Sequence, residues 1–555
     1  MPQGGRIRDP VHGYIRFTRV ERRLIDDPVV QRLRYIGQAG LSHLVFPEVR
    51  TSRFGHSLGA MHLSSRFLSA ALENAGESLR ERIEVLMDEG VSQAAGGFLP
   101  KPEDVVRDLT DDGLRAAASV SDEARASALL IEQGLRLAGM VHDLGHLPFS
   151  HDFEYSLQRL FEEHRGVAER DFPALTSEGD LAIHERIGYR MARTLVRKIF
   201  DSVPDRVEAD IARTTFSIAE EILRAEPPPD PGLAVAEQQD LDVDAMWWWL
   251  HSLMAGEIDV DRCDYLLRDA RTYGFEFASY DLERLISHLT VVRPQPDRNA
   301  LETAVLPQGV SAAESFFLAR YRAYTWGPFH HKVSQIAAAL QQAIALVLRP
   351  AFSGGGPRGL KQFLGDIERV AGDESCQLHT QAPDLLDRFR RYDDGWMMSY
   401  IRTASEGRCS SSEQAWLDLV CWRTPGPKSL WKRGSEFPGD LLEFNDVLPY
   451  RDDPTAVGRW RAVVDEFAQS GVLVIRHHFS PYKLESRSKE SRIKVSEPDG
   501  TLRPLTAISP MTAALPDLWN ADVQVFASAL DPSAQLAGNV VERLRAAGKS
   551  PGGTP

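Results

Sequence analysis

The chain has 555 residues, 43% of them hydrophobic and 26% charged, with a formal net charge of -15. That length exceeds the size at which a single core usually stops growing, so about two to four domains are expected. No stretch approaches the ~20 uncharged apolar residues of a membrane span or the apolar centre of a signal peptide, and the acidic balance argues against a general nucleic-acid coat, which needs a positive field.

A local pocket of a few Arg and Lys for a small anion remains compatible with that charge. Cys263, Cys376, Cys409 and Cys421 lack CxxC spacing, so neither a zinc knuckle nor a disulfide framework is indicated. A cytoplasmic protein with reduced thiols is expected. Residues 6–20, RIRDPVHGYIRFTRV, predict a hairpin, with alternating character at Tyr14, Ile15 and Phe17 and turn formers at Pro10 and Gly13. Asp27 and Pro28 then read as N-cap and first helical position, with Val29, Leu33 and Ile36 on one helical face and Arg32, Arg34 and Gln38 pointing elsewhere. Leu58, Met61, Leu68 and Leu72 give the next helix its stripe. His56 stands at its start, just after Arg53, where a capping histidine is the plainer reading, and His62 reads as a partly buried helix residue. Residues 73–130 are Ala- and Glu-rich, with breaks at Gly96, Gly97 and Pro100, and predict helices with an inserted surface loop.

The chemistry concentrates at Ala138–Glu154, AGMVHDLGHLPFSHDFE. Adjacent His142 and Asp143 diverge by about 100° around a helix axis, so packing does not account for both. A metal ion is the simplest reason, since imidazole and carboxylate both suit Fe, Mn, Zn or Ni, and carboxylate also suits Mg. His146, His151, Asp152 and Glu154 follow, and Pro148 is expected to break the helix between the two groups. Farther on, Ile187, Met191, Leu195 and Ile199 mark an amphipathic helix that begins at His184, and AEPPPDPG at 225–232 reads as a Pro-rich loop. Asp259, Asp261, Asp264 and Asp269 lie among Ile258, Val260, Tyr265, Leu266 and Leu267. They form either a solvated charged face or a set of buried carboxylates that need partners.

Residues 316–348 predict a long helical region interrupted at Gly327 and Pro328. Arg320, Arg322, His330, His331 and Lys332 interleave there with Tyr321 and Tyr324, which suits a grip on a phosphorylated base and sugar or, equally, a solvated face. Beyond SGGGPRG at 353–359 helical patterns persist through Phe467. VLVIRHHF, RIKVSEPDG, TLRPLT and DVQVFAS then read as short strands with a turn at Asp499 and Gly500. KLESRSKESRIK between strands reads as a solvated or a phosphate-binding loop, and GKSPGGTP as a disordered tail.

The order His56, then His142 and Asp143, then Asp261 is the H, HD, D pattern of the HD-domain metal-dependent phosphohydrolases. DPVHGYI, DDPVVQRLRYIGQAG, VFPEVRTSRFGHSLGAMHL, AGMVHDLGHLPFSHDFE, HERIG and GEIDVDRCDYLLRDARTYG also follow in that order here. The chain thus resembles the deoxynucleoside triphosphate triphosphohydrolases. It looks most like the branch containing the vertebrate dNTPase joined to a sterile alpha motif and its bacterial relatives, although no such motif is expected ahead of the HD domain here. The resemblance covers residues 6–70, 134–190 and 255–335, weakens in the terminal strands and is lost over much of 73–130 and 375–460. It implies a mainly α fold, an HD-domain helical core with a small α+β C-terminal unit. The expected division is a catalytic domain at 1–350 with a helical insertion at about 73–130, a helical extension at 351–467, the α+β unit at 468–535 and a disordered tail at 536–555.

By the same resemblance, His56, His142, Asp143 and Asp261 bind one divalent metal. His151 and Glu154 are the catalytic pair for in-line attack at the α-phosphorus, by activated water or by the imidazole itself, with release of tripolyphosphate. His146 and His184 bond the phosphates or protonate the leaving 5′-oxygen. Arg53, Arg320 and Lys332 contact substrate, and Gln38, Tyr265 and Asp269 face the deoxyribose, where Tyr265 leaves no room for a 2′-hydroxyl. Phe329 departs from the family's second Tyr near the His-Lys pair, which bears on sugar or base discrimination. Asp26, Gln31 and Arg34 match positions that read an activating guanine nucleotide, or are surface salt bridges. Homo-oligomers (dimer, tetramer or hexamer) and a place in dNTP-pool control or antiviral defence are further implied, with no membrane and no nucleic acid expected as partners. The alternatives are a phosphodiesterase or nuclease acting on oligonucleotides or cyclic dinucleotides, and a nucleotide-sensing subunit of a defence complex.

Overall fold

A computed structural model of the protein describes residues 4–97, 99–115, 118–177, 182–201, 203–227, 240–295, 298–375, 377–407, 409–424, 428–430, 454–477, 492–515, 522–527 and 534–548. Cys376, most of the Pro-rich loop, most of the KLESRSKESRIK loop and the last seven residues of the expected tail lie outside the described residues.

The helix Arg125–Val141 is buried at every position from Ala128 to Val141. A helix apolar on all sides belongs in the middle of a fold, and this one packs against the helices Arg53–Glu73 and Arg206–Arg224. Of its two buried charged residues, Glu132 and Arg136, the arginine is matched by Glu21, with Nε to Oε1 at 2.6 Å. Two helices from the 73–130 region, Glu77–Ala95 and Pro102–Asp111, also lie against it and bury Ile83, Leu86, Met87, Val105 and Leu109. They are therefore part of the main core.

The hairpin forms as Gly5–Asp9 paired antiparallel with Gly13–Phe17. Asp27 caps Pro28–Gln31 as its sequence implies, accepting from the Val29 amide, but the helix stops there and a 3-10 turn, Arg32–Tyr35, replaces the expected continuation. Val29, Leu33 and Ile36 are buried all the same, and Arg32 is buried with them. The long helical region divides into Val310–Trp326 and His331–Phe352 at the expected Gly327–Pro328 break. His331–Phe352 is long and apolar enough by length and composition to cross a membrane, contrary to the sequence expectation; 61% of its apolar window is buried inside the protein, where it packs on the helices His151–Glu163 and Ser411–Trp422.

The C-terminal strands form at Val472–His477, Lys494–Ser496, Leu502–Pro504 and Asp522–Ala527, but they do not make one unit. Lys494–Ser496 and Leu502–Pro504 complete a four-stranded sheet begun by Leu289–Val292 and Glu302–Val305, with Ala304 opposite Lys494 in a parallel pair. Asp522–Ala527 lies between Val472–His477 and Lys428–Ser429 and pairs antiparallel with both. The helices Pro454–Gln469 and Ala534–Gly548 cover that sheet, with Trp460, Phe467, Val525, Val540 and Leu544 forming a second small core. The expected disordered tail is corrected over 536–548, which is helical because Val540, Val541 and Leu544 have a surface to bury against.

Candidate metal and phosphate site

The buried central helix ends at Val141, and the loop from His142 to Ser150 leads into the helix His151–Glu163. His56 arrives from the first turn of Arg53–Glu73, whose N-cap Ser52 accepts from the Gly55 amide. Asp261 arrives from the first turn of Val260–Tyr273, capped by Asp259. Gly59 lets these two helices approach closely: a Cβ there would overlap the Asp264 carboxylate. His56 Nε2 then lies 2.9 Å from Asp261 Oδ1 and 3.6 Å from Asp143 Oδ2, and His142 Nε2 lies 3.5 Å from Asp143 Oδ1 and 3.9 Å from Asp261 Oδ1. Two imidazoles and two carboxylates from three places in the chain thus converge.

The rear of each imidazole is held. His56 Nδ1 is 2.8 Å from Asp264 Oδ2, and Asp264 Oδ1 is 2.7 Å from His12 Nε2. Arg268 donates to both Asp264 oxygens and, through Nη1, to Asp9. His142 Nδ1 is 2.8 Å from the Gly139 carbonyl. These partners leave Nε2 of each ring for the front, where His142 Nε2 has no hydrogen-bond partner among the described residues and His56 Nε2 faces the Asp261 carboxylate at 2.9 Å. Buried imidazole nitrogens turned toward shared carboxylates are what metal ligands are without their ion, and the donor set fits a divalent metal. Burial opposes charge on His56, but the carboxylates of Asp261, Asp264 and Asp143 outweigh it and raise its pKa to about 10. Metal binding must therefore displace a proton.

The second group lies beside the first. Gly145 packs on the helix Ile183–Phe200, where a Cβ would overlap the His184 carbonyl. His146 consequently stacks on His184 at 4.1 Å between ring centroids, 11° from parallel. Glu154 ties the group together: Oε1 accepts from the His184 amide at 3.0 Å and is 2.7 Å from His184 Nδ1, and Oε2 is 3.3 Å from His151 Nδ1. Despite burial, these histidines hold the Glu154 carboxyl far below the usual carboxylate range. Burial disfavours the His184 imidazolium, and Glu154 more than restores it. His146 is kept neutral by burial and by Arg53, although its Nε2 is 3.1 Å from Asp143 Oδ1. Arg53 donates to Asp143 Oδ2 at 2.7 Å and to Ser150 Oγ at 3.1 Å. Burial works against the Asp143 charge, and Arg53 with the adjacent histidines keeps it well below the ordinary range.

Both groups open on one cavity of about 1950 Å³, which Gln38, Arg53, Tyr265, Asp269, Arg320 and Phe329 also line. Tyr265 OH is 3.3 Å from Tyr324 OH, and the Tyr324 ring meets Phe329 edge-on. Lys332 stands apart. Its ammonium donates to Gln335 Oε1 at 3.0 Å, and it is absent from the cavity lining. Gln31 and Arg34 are joined, with Arg34 Nε to Gln31 Oε1 at 2.6 Å, while Asp26 pairs with Arg22, all outside that lining. Sequence reading left Asp264 without a role and did not single out His12, Arg268 or Ser150. The Asp264 to Arg268 spacing of four was the available sign of a paired buried carboxylate.

No family model matches the chain. Among curated proteins, the uncharacterised YwfO of Bacillus subtilis is 26% identical over 60% of this chain and 53% of its own length. The deoxynucleoside triphosphate triphosphohydrolase SAMHD1 of Bos taurus is 28% identical over 51% of this chain and 38% of its own. The chain thus spans about half, or less, of the length of these relatives. Among solved structures, a phosphohydrolase from Bacteroides thetaiotaomicron shares the fold with a TM-score of 0.56 and 19% identity, covering 95% of this chain and 100% of that one. A hypothetical protein from Aquifex aeolicus shares it with a TM-score of 0.55 and 21% identity, covering 98% of this chain and 100% of that one. The ordered motifs, the convergent His, His-Asp, Asp set and these likenesses together support an HD-domain, dNTPase-like family for the chain.

Proposed function

We propose that the protein hydrolyses deoxynucleoside triphosphates to deoxynucleoside and tripolyphosphate. The observation that carries this reading is a pair of buried acceptors, Gln38 Oε1 and Asp269 Oδ1, on residues that line the cavity with Tyr265 and have no hydrogen-bond partner among the described residues. Buried acceptors call for donors, and a sugar hydroxyl supplies one. Burial raises the Asp269 carboxyl to about 7, so it changes protonation state near neutral pH and bonds a hydroxyl in either form. Its neighbour Tyr265, tied to Tyr324 at its hydroxyl, packs beneath the sugar and selects against a 2′-hydroxyl.

When bound, a single divalent metal supplies Lewis acidity at the phosphate and a more acidic water. The chain's residues do the remaining work. Arg53 offsets phosphate charge from behind Asp143. His184, whose imidazolium Glu154 favours, is the proton source for the leaving 5′-oxygen, and His151, the most exposed of the three histidines at 54%, meets the incoming phosphate. Alignment and electrostatic stabilisation are the main demands of such a transfer.

Assembly into homo-oligomers, activation by a guanine nucleotide at Asp26, Gln31 and Arg34, and a cytoplasmic role in dNTP-pool control or antiviral defence belong to the same proposal. The test is product analysis with Mn or Mg across the common dNTPs and NTPs, singly and in mixtures, because a gated enzyme is silent with one nucleotide. Deoxynucleoside and tripolyphosphate are expected; release of pyrophosphate or single phosphates overturns the reading. The loop that favoured oligonucleotide substrates lies mostly outside the described residues.

A further inference from the structure

The loop from His142 to Ser150 carries two candidate metal ligands, a candidate phosphate-facing histidine and the entry to the His151 helix, yet it closes on two residues in left-handed backbone. Phe149 has φ of 62° and Ser150 has φ of 54°. Neither is glycine, and such residues are costly unless their surroundings hold them. The holding groups come from a distant part of the chain.

Asp394 Oδ1 accepts from the Phe149 amide at 2.7 Å, and Asp394 Oδ2 accepts from the Gly37 amide at 2.9 Å. Ser150 Oγ donates to the Gly37 carbonyl at 3.2 Å and accepts from Arg53 Nε at 3.1 Å. The ring Asp394, Gly37, Ser150, Phe149 is therefore closed by three hydrogen bonds and one peptide link. It joins the strained turn to the residue before Gln38 and to the arginine that contacts Asp143. A second tie runs alongside it. The buried guanidinium of Arg32 donates to the Leu144 carbonyl at 2.8 Å and to the Tyr392 carbonyl at 2.9 Å, with the Phe389 ring 4.7 Å from its carbon.

Asp394 is not needed by its own helix. The N-cap of Asp394–Ser405 is Asp393, whose side chain accepts from the Trp396 amide at 2.8 Å. Burial raises the Asp394 carboxyl to about 7 even though two backbone amides favour its charge. The fold thus keeps an acidic group at a costly place when its neighbour already does the capping.

We propose that Asp394 is a positioning residue for phosphate hydrolysis: it fixes the Phe149–Ser150 turn, and through that turn sets the aim of His151 and Arg53. The segment around 389–394, outside every motif of the HD family resemblance, then belongs functionally to the active site. The proposal rests on the loop 142–151 acting on phosphate, as proposed above.

The test compares Asp394→Ala and Asp394→Asn with Asp393→Ala, which weakens the same helix without touching the loop. In metal-loaded full-length protein, Asp394→Ala should lower kcat about 10- to 100-fold, the range for a misplacement near 1 Å. KM and bound metal should each change less than about threefold on the same scale. Asp394→Asn, which keeps one acceptor, should fall between it and wild type, and serves if the alanine variant does not fold. Asp393→Ala should keep wild-type kcat per folded molecule. A readout independent of any substrate is the His151 ring Cε1–H signal in NMR, assigned with His151→Gln: its shift should move in both Asp394 variants and stay in Asp393→Ala. A dNTP assay that fails in wild type while the His151 signal still moves overturns the proposed substrate and not this inference. An unmoved His151 signal, unchanged kcat in both Asp394 variants, or an equal loss in Asp393→Ala overturns the inference.

Discussion

The two histidine groups of the site sit side by side and are built in opposite ways. His56 and His142 are secured from the rear, by Asp264 and by the Gly139 carbonyl, so that each ring shows one nitrogen to the metal position. His146, His151 and His184 are secured from the side, by stacking and by Glu154, and exposure rises from 1% at His146 through 14% at His184 to 54% at His151. An ion needs ligands that stay where they are. A phosphate that arrives and departs needs groups that can exchange protons and partners. Rigidity from behind and tethering from the side suit the proposed metal and phosphate roles within one cavity.

The contrast predicts a graded set of losses. The largest follows from breaking the first group: His142→Ala should leave purified protein without stoichiometric metal by elemental analysis and reduce hydrolysis by more than the roughly 10²–10⁴-fold typical of an acid–base group. Chelation should do the same to wild type, reversibly on metal return. Breaking the second group should separate the functions. His151→Ala should keep its metal and lose about 10²–10⁴-fold in kcat; loss of metal as well would merge the two groups into one. Third, Asp264→Asn should keep hydrolysis at saturating metal and weaken metal affinity about 10–100-fold, read by competition with a chelating dye.

The smallest effect is on stability, and it depends on pH. Glu154 lies far below its ordinary 4.5, so its contribution is present above that value and fades as pH falls toward its folded pKa. His184 lies above its ordinary 6.5, so its contribution is full below that value and is lost as pH rises through the raised pKa. The pair therefore stabilises most between about pH 4.5 and 6.5. In metal-free protein Glu154→Gln should cost about 1.5–3 kcal/mol in that window, the range for a hydrogen bond to a charged group, and less at alkaline pH. Chemical denaturation at both pH values measures it, and an equal cost at both would show that the bond holds no charge.

How far the site could be read from the chain follows the same division. The candidate ligands and candidate phosphate-facing histidines lie in short contiguous motifs, and the structure adds caps at Ser52 and Asp259 that set His56 and Asp261 in first helical turns. Their supports were harder to see because the partners are remote in sequence: His12 with Asp264, Asp394 with Gly37 and Phe149, Arg32 with Tyr392. Nothing local distinguishes Asp394 from Asp393 beside it. The strands of the C-terminal part were legible from alternation and from the turn at Gly500, where φ is 85°, but their partners were not. Alternation says that a strand has two faces and says nothing about which edge it joins.

That pairing bears on when the protein can finish folding. Val305 lies opposite Val495, and Lys494 Nζ reaches Glu302 Oε2 at 2.9 Å. During synthesis, at about 5–20 residues per second, the edge at Glu302–Val305 waits on the order of ten seconds or more for its parallel neighbour, with its backbone groups open to other partners. The helices around the metal ligands are complete long before then. A ribosome pause between these two stretches would lengthen the exposure of that edge without changing a residue of the candidate site.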